Sequence, residues 1–253
     1  MTTSIALQLY TIRDALARDF TGVIKKIAAL GYVGVETSGV YGGSPQTAAR
    51  LFTELGLTVC SAHLPLPIGD KQNEVLDKAA TLGCSRIVLG GTPRDVKTVE
   101  QVKRACDSFN EANAVAQAHG LTFAIHNHWW EFERVEDGRT VFQVMRDLLA
   151  PTVQFELDVY WAKTGGADPV EMVRVLGARA PLLHIKDGPC VVGQSMMAVG
   201  EGAVNIPGVI QASANTADWL IVELDACATD MLEAVEKSYH YLVGKGFARG
   251  NQN

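Results

Sequence analysis

The chain has 253 residues, a length that suits one large domain, and its 47 % hydrophobic share is ample for a large core. Its 22 Lys and Arg stand against 28 Asp and Glu, a net charge of −6. That balance excludes the basic face that general nucleic-acid or anionic-membrane binding needs.

Short β-branched or apolar runs alternate with longer stretches of helical period. A run at 5–9 precedes a predicted helix over 20–30, where Val23, Ile24, Ile27 and Leu30 share a face and Gly31 stops the chain. A run at 34–37 leads to a helix over 45–55 ending at Gly56, and one at 58–62 to a helix over 75–82 ending at Gly83. The run at 85–89 precedes a long helix over 96–119 that ends at Gly120. Runs at 122–126 and 153–157 follow. Asp168 is the predicted cap of a helix that Pro169 opens and that ends near Gly177. After the run at 182–185, the segment 189–202 has no period and reads as a loop over the mouth of the fold. A last run at 219–223 and a helix over 230–243 complete the chain.

Strict alternation predicts a parallel sheet with helices outside, and eight units in this length predict closure into one α/β domain, a (β/α)₈ TIM barrel over 1–253. An open doubly wound sheet usually carries a glycine-rich loop after its first strand. Here "QLYTIRD" follows, without glycine. The five cysteines, Cys60, Cys84, Cys106, Cys190 and Cys227, have no CxxC spacing and are expected to be reduced thiols. The start of the chain lacks the pattern of a secretory leader, and no apolar stretch is long enough for a bilayer span. A cytoplasmic location is therefore expected.

Active sites of such barrels collect at the C-terminal ends of the strands. Ionisable residues fall there: Glu36, His63, His126, His128 and Glu131, Glu156 and Asp158, His184, Lys186 and Asp187, and Glu223 and Asp225. The other two histidines, His119 and His240, fall on helices and are expected at the surface. Alternation puts His126 with His128, Glu156 with Asp158, His184 with Lys186, and Glu223 with Asp225 on common faces. A carboxylate from strand 5 or its loop, with Asp158, His184 and Glu223, would give a divalent cation hard oxygen ligands and one imidazole. Glu36 and His63 each also have a plain structural reading, as a salt-bridge partner and a turn residue. Glu156 and Asp225 stay open between a direct role and support behind the ligands. Trp129, Trp130, Tyr160 and Trp161 are core residues or a wall against a sugar.

At these residues the chain resembles the sugar phosphate isomerase/epimerase family, the xylose isomerase-like barrels. The resemblance runs through "LQLYTIRD", "GYVGVE", "HNHWWEF", "ELDVYWAKTGGADPVEMV", "LLHIKDG", "VGEGAVNIPGVI" and "VELD". It implies one divalent metal ion, with Mn²⁺ first and Co²⁺, Mg²⁺ or Zn²⁺ as alternatives, held by a Glu-Asp-His-Glu set from strands 5 to 8. Asp158, His184 and Glu223 match three members. Many relatives have Glu where this chain has His126, so Glu131 on the following loop is taken as the fourth ligand and His126 as a neighbour that binds substrate.

The resemblance further implies proton transfer next to the carbonyl of a keto-sugar, with Glu131 and Glu223 as the acid–base pair and His128 and Lys186 as alternates. Lys186 is also suited to neutralising a developing oxyanion. Glu36, His63, His126 and Trp161 are the expected substrate-binding residues. The partner is a small-molecule sugar. Neither nucleic acid nor membrane is expected, and assembly into identical copies is left open. A keto-inositol or keto-sugar dehydratase or lyase shares the first step and is the nearest alternative. A metal-dependent DNA-repair endonuclease is disfavoured by the net charge. A sugar-binding barrel without chemistry is the alternative of another class.

Overall fold

A computed structural model describes residues 2–251. Eight parallel strands pair in chain order, and the last returns to the first to close a barrel. They are β1 (Ser4–Gln8), β2 (Gly34–Thr37), β3 (Thr58–His63), β4 (Arg86–Leu89), β5 (Thr122–His126), β6 (Gln154–Asp158), β7 (Leu182–Ile185) and β8 (Trp219–Val222). Each matches a run read from the sequence to within a residue, because β-branched and apolar runs bounded by glycine or polar residues suit a sheet packed on both faces. The eight-stranded TIM barrel expected from the alternation is the fold of this chain.

The helices outside are α1 (Arg13–Arg18), α2 (Phe20–Leu30), α3 (Pro45–Glu54), α4 (Gln72–Leu82), α5 (Val99–Ala118), α6 (Val141–Leu148), α7 (Val159–Thr164), α8 (Pro169–Leu176), α9 (Ile206–Ser213) and α10 (Met231–Gly244). Gly31 ends α2 with a φ of 107°, a conformation open to glycine and strained for other residues. The long helix starts at Val99 rather than 96, because Thr98 and Gln101 form a capping box. Four helices are not legible from periodicity. Three of them, α6, α7 and α9, are set by caps: Thr140 with Gln143, Asp158, and Asn205. The fourth, α1, has only six residues and no side-chain cap. All five cysteines are free thiols.

Strand alternation divides the interior. Outward residues such as Ile5, Leu7, Leu183 and Ile185 join the main core beneath the helices. Inward, Ala6, Cys60, Val88, Ala124, Leu182 and Ile221 form a separate apolar floor, with Trp219 packed against it. Two residues further along most of these strands the inward position turns polar. Ala6 is followed by Gln8, Ala124 by His126, Leu182 by His184 and Ile221 by Glu223. The floor therefore supports a ring of polar side chains at the C-terminal end of the barrel, the end where barrel enzymes carry chemistry.

Among the described residues, no helix is long and apolar enough to cross a membrane. The segment 189–202 is irregular and is anchored through Asp187. That buried carboxylate accepts backbone N–H groups from Gly188, Gly200, Gly202 and Val204 at 2.9 to 3.1 Å. The Met196 N–H donates to the Ala226 carbonyl at 2.9 Å, which ties this loop to the chain after β8.

Candidate active site

Strand register decides which polar residues meet. Gln8, Glu36 and Ser61 are neighbours across β1, β2 and β3. His126 pairs with Glu156 across β5 and β6, and Asp158 with His184 across β6 and β7. The result has two levels, a buried one built around Glu36 and Glu156 and an upper one facing a cavity.

In the upper level, one donor atom each from His126, Asp158, His184 and Glu223 lies within 4.8 Å of the others. Asp158 Oδ2, His184 Nδ1 and Glu223 Oε2 are buried and make no well-formed hydrogen bond, although His184 Nδ1 lies 2.7 Å from Glu223 Oε2. Lys186 Nζ is near Asp158 Oδ2 and Glu223 Oε2, at 3.0 and 2.7 Å. Buried polar atoms are normally hydrogen-bonded, and carboxylate oxygens and an imidazole nitrogen that converge without such bonds make a donor set suited to a divalent cation. These residues fit a metal ion.

Glu131 is not in this group. It is fully buried. Its Oε1 accepts the Thr92 N–H and hydroxyl, both at 2.9 Å, and its Oε2 accepts the His128 N–H at 2.8 Å. Both oxygens brace the loops after β4 and β5. The expectation of Glu131 as ligand and acid–base residue is revised accordingly: the strand 5 residue whose donor atom joins the cluster in this structure is His126. A Cβ at position 91 would sit 2.9 Å from His128 Nδ1, so Gly91 lets these two loops approach.

Glu36 is also revised. It is fully buried, and it accepts from Gln8 Nε2 at 2.5 Å, Ser61 Oγ at 2.5 Å and His184 Nε2 at 2.7 Å. It lies under His184 and does not reach the cavity. Glu156, left open in the sequence, is equally buried and bonds His63 Nε2 at 2.7 Å.

A cavity of about 230 Å³ opens above, lined by Gln8, Tyr10, Ser38, His63, Gly90, His126, His128, Lys186, Glu223 and Asp225. His63, His126, His128, Lys186 and Glu223 were expected there. Trp161 is not among the lining residues. Its backbone N–H donates to Asp158 Oδ1 at 2.8 Å, and its ring centroid sits 5.5 Å from Lys186 Nζ, so it backs the site. Tyr10 supplies the exposed aromatic ring instead, with the Arg13 guanidinium 4.1 Å from its centroid. Gln8, Tyr10, Ser38 and Gly90 were missed. Gln8 and Tyr10 sit in the "LQLYTIRD" landmark, whose polar residues follow an apolar strand directly.

Charge in the site follows from burial and pairing. Burial pushes the Lys186 ammonium down, but Asp158, Glu223 and Asp225 outweigh it and hold the group cationic, well above its ordinary value. Lys186 is therefore an electrostatic group and not a base. Burial raises the Glu223 carboxyl, and Lys186 and His184 overcome this and draw it below the usual range. Burial drives the His128 imidazole down to about 3 and His126 well below its usual value, with nearby cations adding to both. These two rings are neutral. His63 is opposed by burial but raised to about 10 by Glu36 and Glu156.

The sequence matches the family described as Xylose isomerase-like TIM barrel over residues 24–238. No curated protein matches the chain. Among solved structures, a sugar phosphate isomerase/epimerase from Parabacteroides distasonis ATCC 8503 is similar at 26 % identity and a TM-score of 0.84, covering 98 % of this chain and 96 % of that one. An L-ribulose 3-epimerase shares the fold at 17 % identity and a TM-score of 0.70, covering 97 % and 94 % of the two chains. A D-psicose 3-epimerase, solved with D-fructose, shares it at 14 % identity and a TM-score of 0.70, covering 98 % and 100 %. With its closed eight-stranded barrel and a match across most of its length, the chain belongs to the xylose isomerase-like TIM barrel family.

Proposed function

We propose that this protein is a metal-dependent sugar isomerase or epimerase that moves a proton next to the carbonyl of an unphosphorylated keto-sugar. The observation that carries the reading is the convergence of His126, Asp158, His184 and Glu223 at the base of a polar cavity. These four residues hold the cation, with Mn²⁺ the first choice. When bound, the cation supplies a Lewis acid that polarises the substrate carbonyl.

The chain's own groups do the rest. Glu223 reaches the cavity as an ionised carboxylate and takes the proton next to the carbonyl. His63 and His128 also line the cavity: His63, held cationic by Glu36 and Glu156, binds or protonates a substrate oxygen, and the neutral His128 binds one. Lys186, held cationic beside Glu223, offsets the negative charge that builds up in the transition state. Tyr10 offers an aromatic face to the ring or chain of the sugar. The cationic groups lining the cavity are already paired, Lys186 with Asp158, Glu223 and Asp225 and His63 with Glu156 and Glu36, which leaves neither free for a phosphate. The names of the similar structures, two of them 3-epimerases of ketoses, support the same substrate class.

A dehydratase or lyase acting on a keto-sugar or keto-inositol is the second reading. It is favoured by the withdrawal of Glu131, which leaves one glutamate on the cavity wall where a two-glutamate exchange needs a pair. Elimination needs one base and an acid at the leaving group. The test is proton exchange followed by NMR in D₂O, with the Mn²⁺-loaded protein and a panel of ketoses, keto-glycosides and keto-inositols. Deuterium incorporation next to the carbonyl, abolished by chelator, is expected, and the product separates epimer from alkene. Metal-loaded protein that exchanges no proton in any of them would leave a sugar-binding barrel.

A further inference from the structure

We propose that Glu36 is a positioning residue for the metal site: it fixes His184 so that Nδ1, and not Nε2, is the nitrogen offered to the cation. This rests on the reading of His126, Asp158, His184 and Glu223 as the metal-holding set.

The two ring nitrogens of His184 face different levels. Nε2 lies 2.7 Å from Glu36 Oε1, and Nδ1 lies 2.7 Å from Glu223 Oε2. A carboxylate only accepts hydrogen bonds, so without a cation either nitrogen can carry a proton toward its carboxylate; a cation held by Asp158 and Glu223 takes the place of the proton at Nδ1, while Nε2, facing Glu36 at 2.7 Å and Glu156 Oε2 at 3.1 Å, keeps its own. The cation needs a lone pair, and the ring has one only at the nitrogen that is not protonated. Glu36 thus selects the tautomer that the upper level requires, and it raises the basicity of the donating nitrogen.

The geometry of Glu36 suits that task. The side chain is fully buried and does not line the cavity. Its carboxylate is held from two sides, by Gln8 Nε2 on Oε1 and by Ser61 Oγ on Oε2. Both supports come from adjacent strands in direct register, Gln8 opposite Glu36 on β1 and Ser61 opposite it on β3. A carboxylate on β2 thereby acts on a ligand from β7, across the barrel's interior. A charge this deep is costly unless fully paired. Two neutral donors and the imidazoles of His184 and His63, at 2.7 and 3.3 Å from Oε1, account for that pairing, and the closer imidazole, His184, is the one that belongs to the metal-holding set.

The experiment titrates Co²⁺ into the metal-free wild-type protein and into Glu36→Leu, Glu36→Gln and His184→Ala. It reads the dissociation constant and the visible ligand-field bands, neither of which depends on turnover. Glu36→Leu is expected to weaken Co²⁺ binding about 10- to 100-fold and to shift the bands. Glu36→Gln keeps an acceptor for the Nε2 proton but not the charge, and is expected to recover most of the affinity, to within about threefold to tenfold of wild type. Wild-type affinity and bands in Glu36→Leu overturn the proposal. If that variant does not fold, the decision passes to Glu36→Gln, where values identical to wild type overturn it. A wild-type protein that binds no Co²⁺, or His184→Ala binding as tightly as wild type, is a different pattern. It removes the metal assignment itself, and the role of Glu36 with it.

Discussion

The His128 backbone N–H donates to Glu131 Oε2 at 2.8 Å, and that bond helps turn Glu131 from a site carboxylate into a brace. Its other oxygen takes two donors from Thr92. Removing the brace leaves buried donors unpaired, at about 1–3 kcal/mol for each one that water does not reach. Glu131→Ala is therefore expected to lower the melting temperature by several degrees while the metal-to-protein ratio stays at that of wild type. His126→Ala is expected to do the opposite, with a small change in melting temperature and a clear loss of bound metal. Thermal unfolding combined with elemental analysis checks both, and metal loss in Glu131→Ala but not in His126→Ala would return the ligand role to Glu131.

Glu223→Gln preserves shape and burial but removes the ionised carboxylate that lines the cavity. Loss of a general base costs about 10²- to 10⁴-fold in rate. The variant is expected to fold as wild type by circular dichroism and to lose proton exchange by that factor in D₂O. A near-normal exchange rate would move the base to another group on the wall.

Lys186 is 1 % exposed and has carboxylate oxygens of Asp158, Glu223 and Asp225 within 3.0 Å. Lys186→Met leaves buried carboxylates without their cation, a change worth about 3–5 kcal/mol in comparable buried pairs. The metal-free variant is expected to melt on the order of 10 °C below wild type. On the proposed reading Mn²⁺ binds through oxygens of the same carboxylates, so saturating metal is expected to narrow the gap, since a ligand that binds only the folded state adds stability. Scanning fluorimetry with and without Mn²⁺ reads this directly. A gap that metal leaves unchanged would separate Lys186 from the metal-holding oxygens.

Tyr10 is 41 % exposed at the cavity and is braced by Arg13, whose Nη1 donates to the Tyr10 carbonyl at 2.8 Å. Its ring lines the cavity but is not part of the donor group, so on the proposed reading truncation weakens binding of ground state and transition state alike. Tyr10→Ala is expected to raise KM on the order of five- to tenfold with kcat within about twofold of wild type. Steady-state kinetics on whichever keto-sugar exchanges its proton decides it. A fall in kcat alone would place Tyr10 in the chemistry.

The order of the eight strands, their inward faces and the polar end of the barrel follow from the sequence, because strand alternation is a local property of consecutive residues. Ala124 facing the floor makes His126 face the cavity, and Leu182 in the floor turns His184 inward to the buried donor cluster. Tertiary structure decided whatever depends on partners distant in sequence. Glu131 lies on a loop, where no period sets direction, and Thr92, which is 39 residues away, claims it. Glu36 has the right phase on β2 but lies one level too deep, and only the register with Gln8 and Ser61 shows that its oxygens are already taken. A residue's side of a strand is fixed by its neighbours in the chain. Whether its polar atoms are free for chemistry is fixed by the hydrogen bonds that folding brings to it.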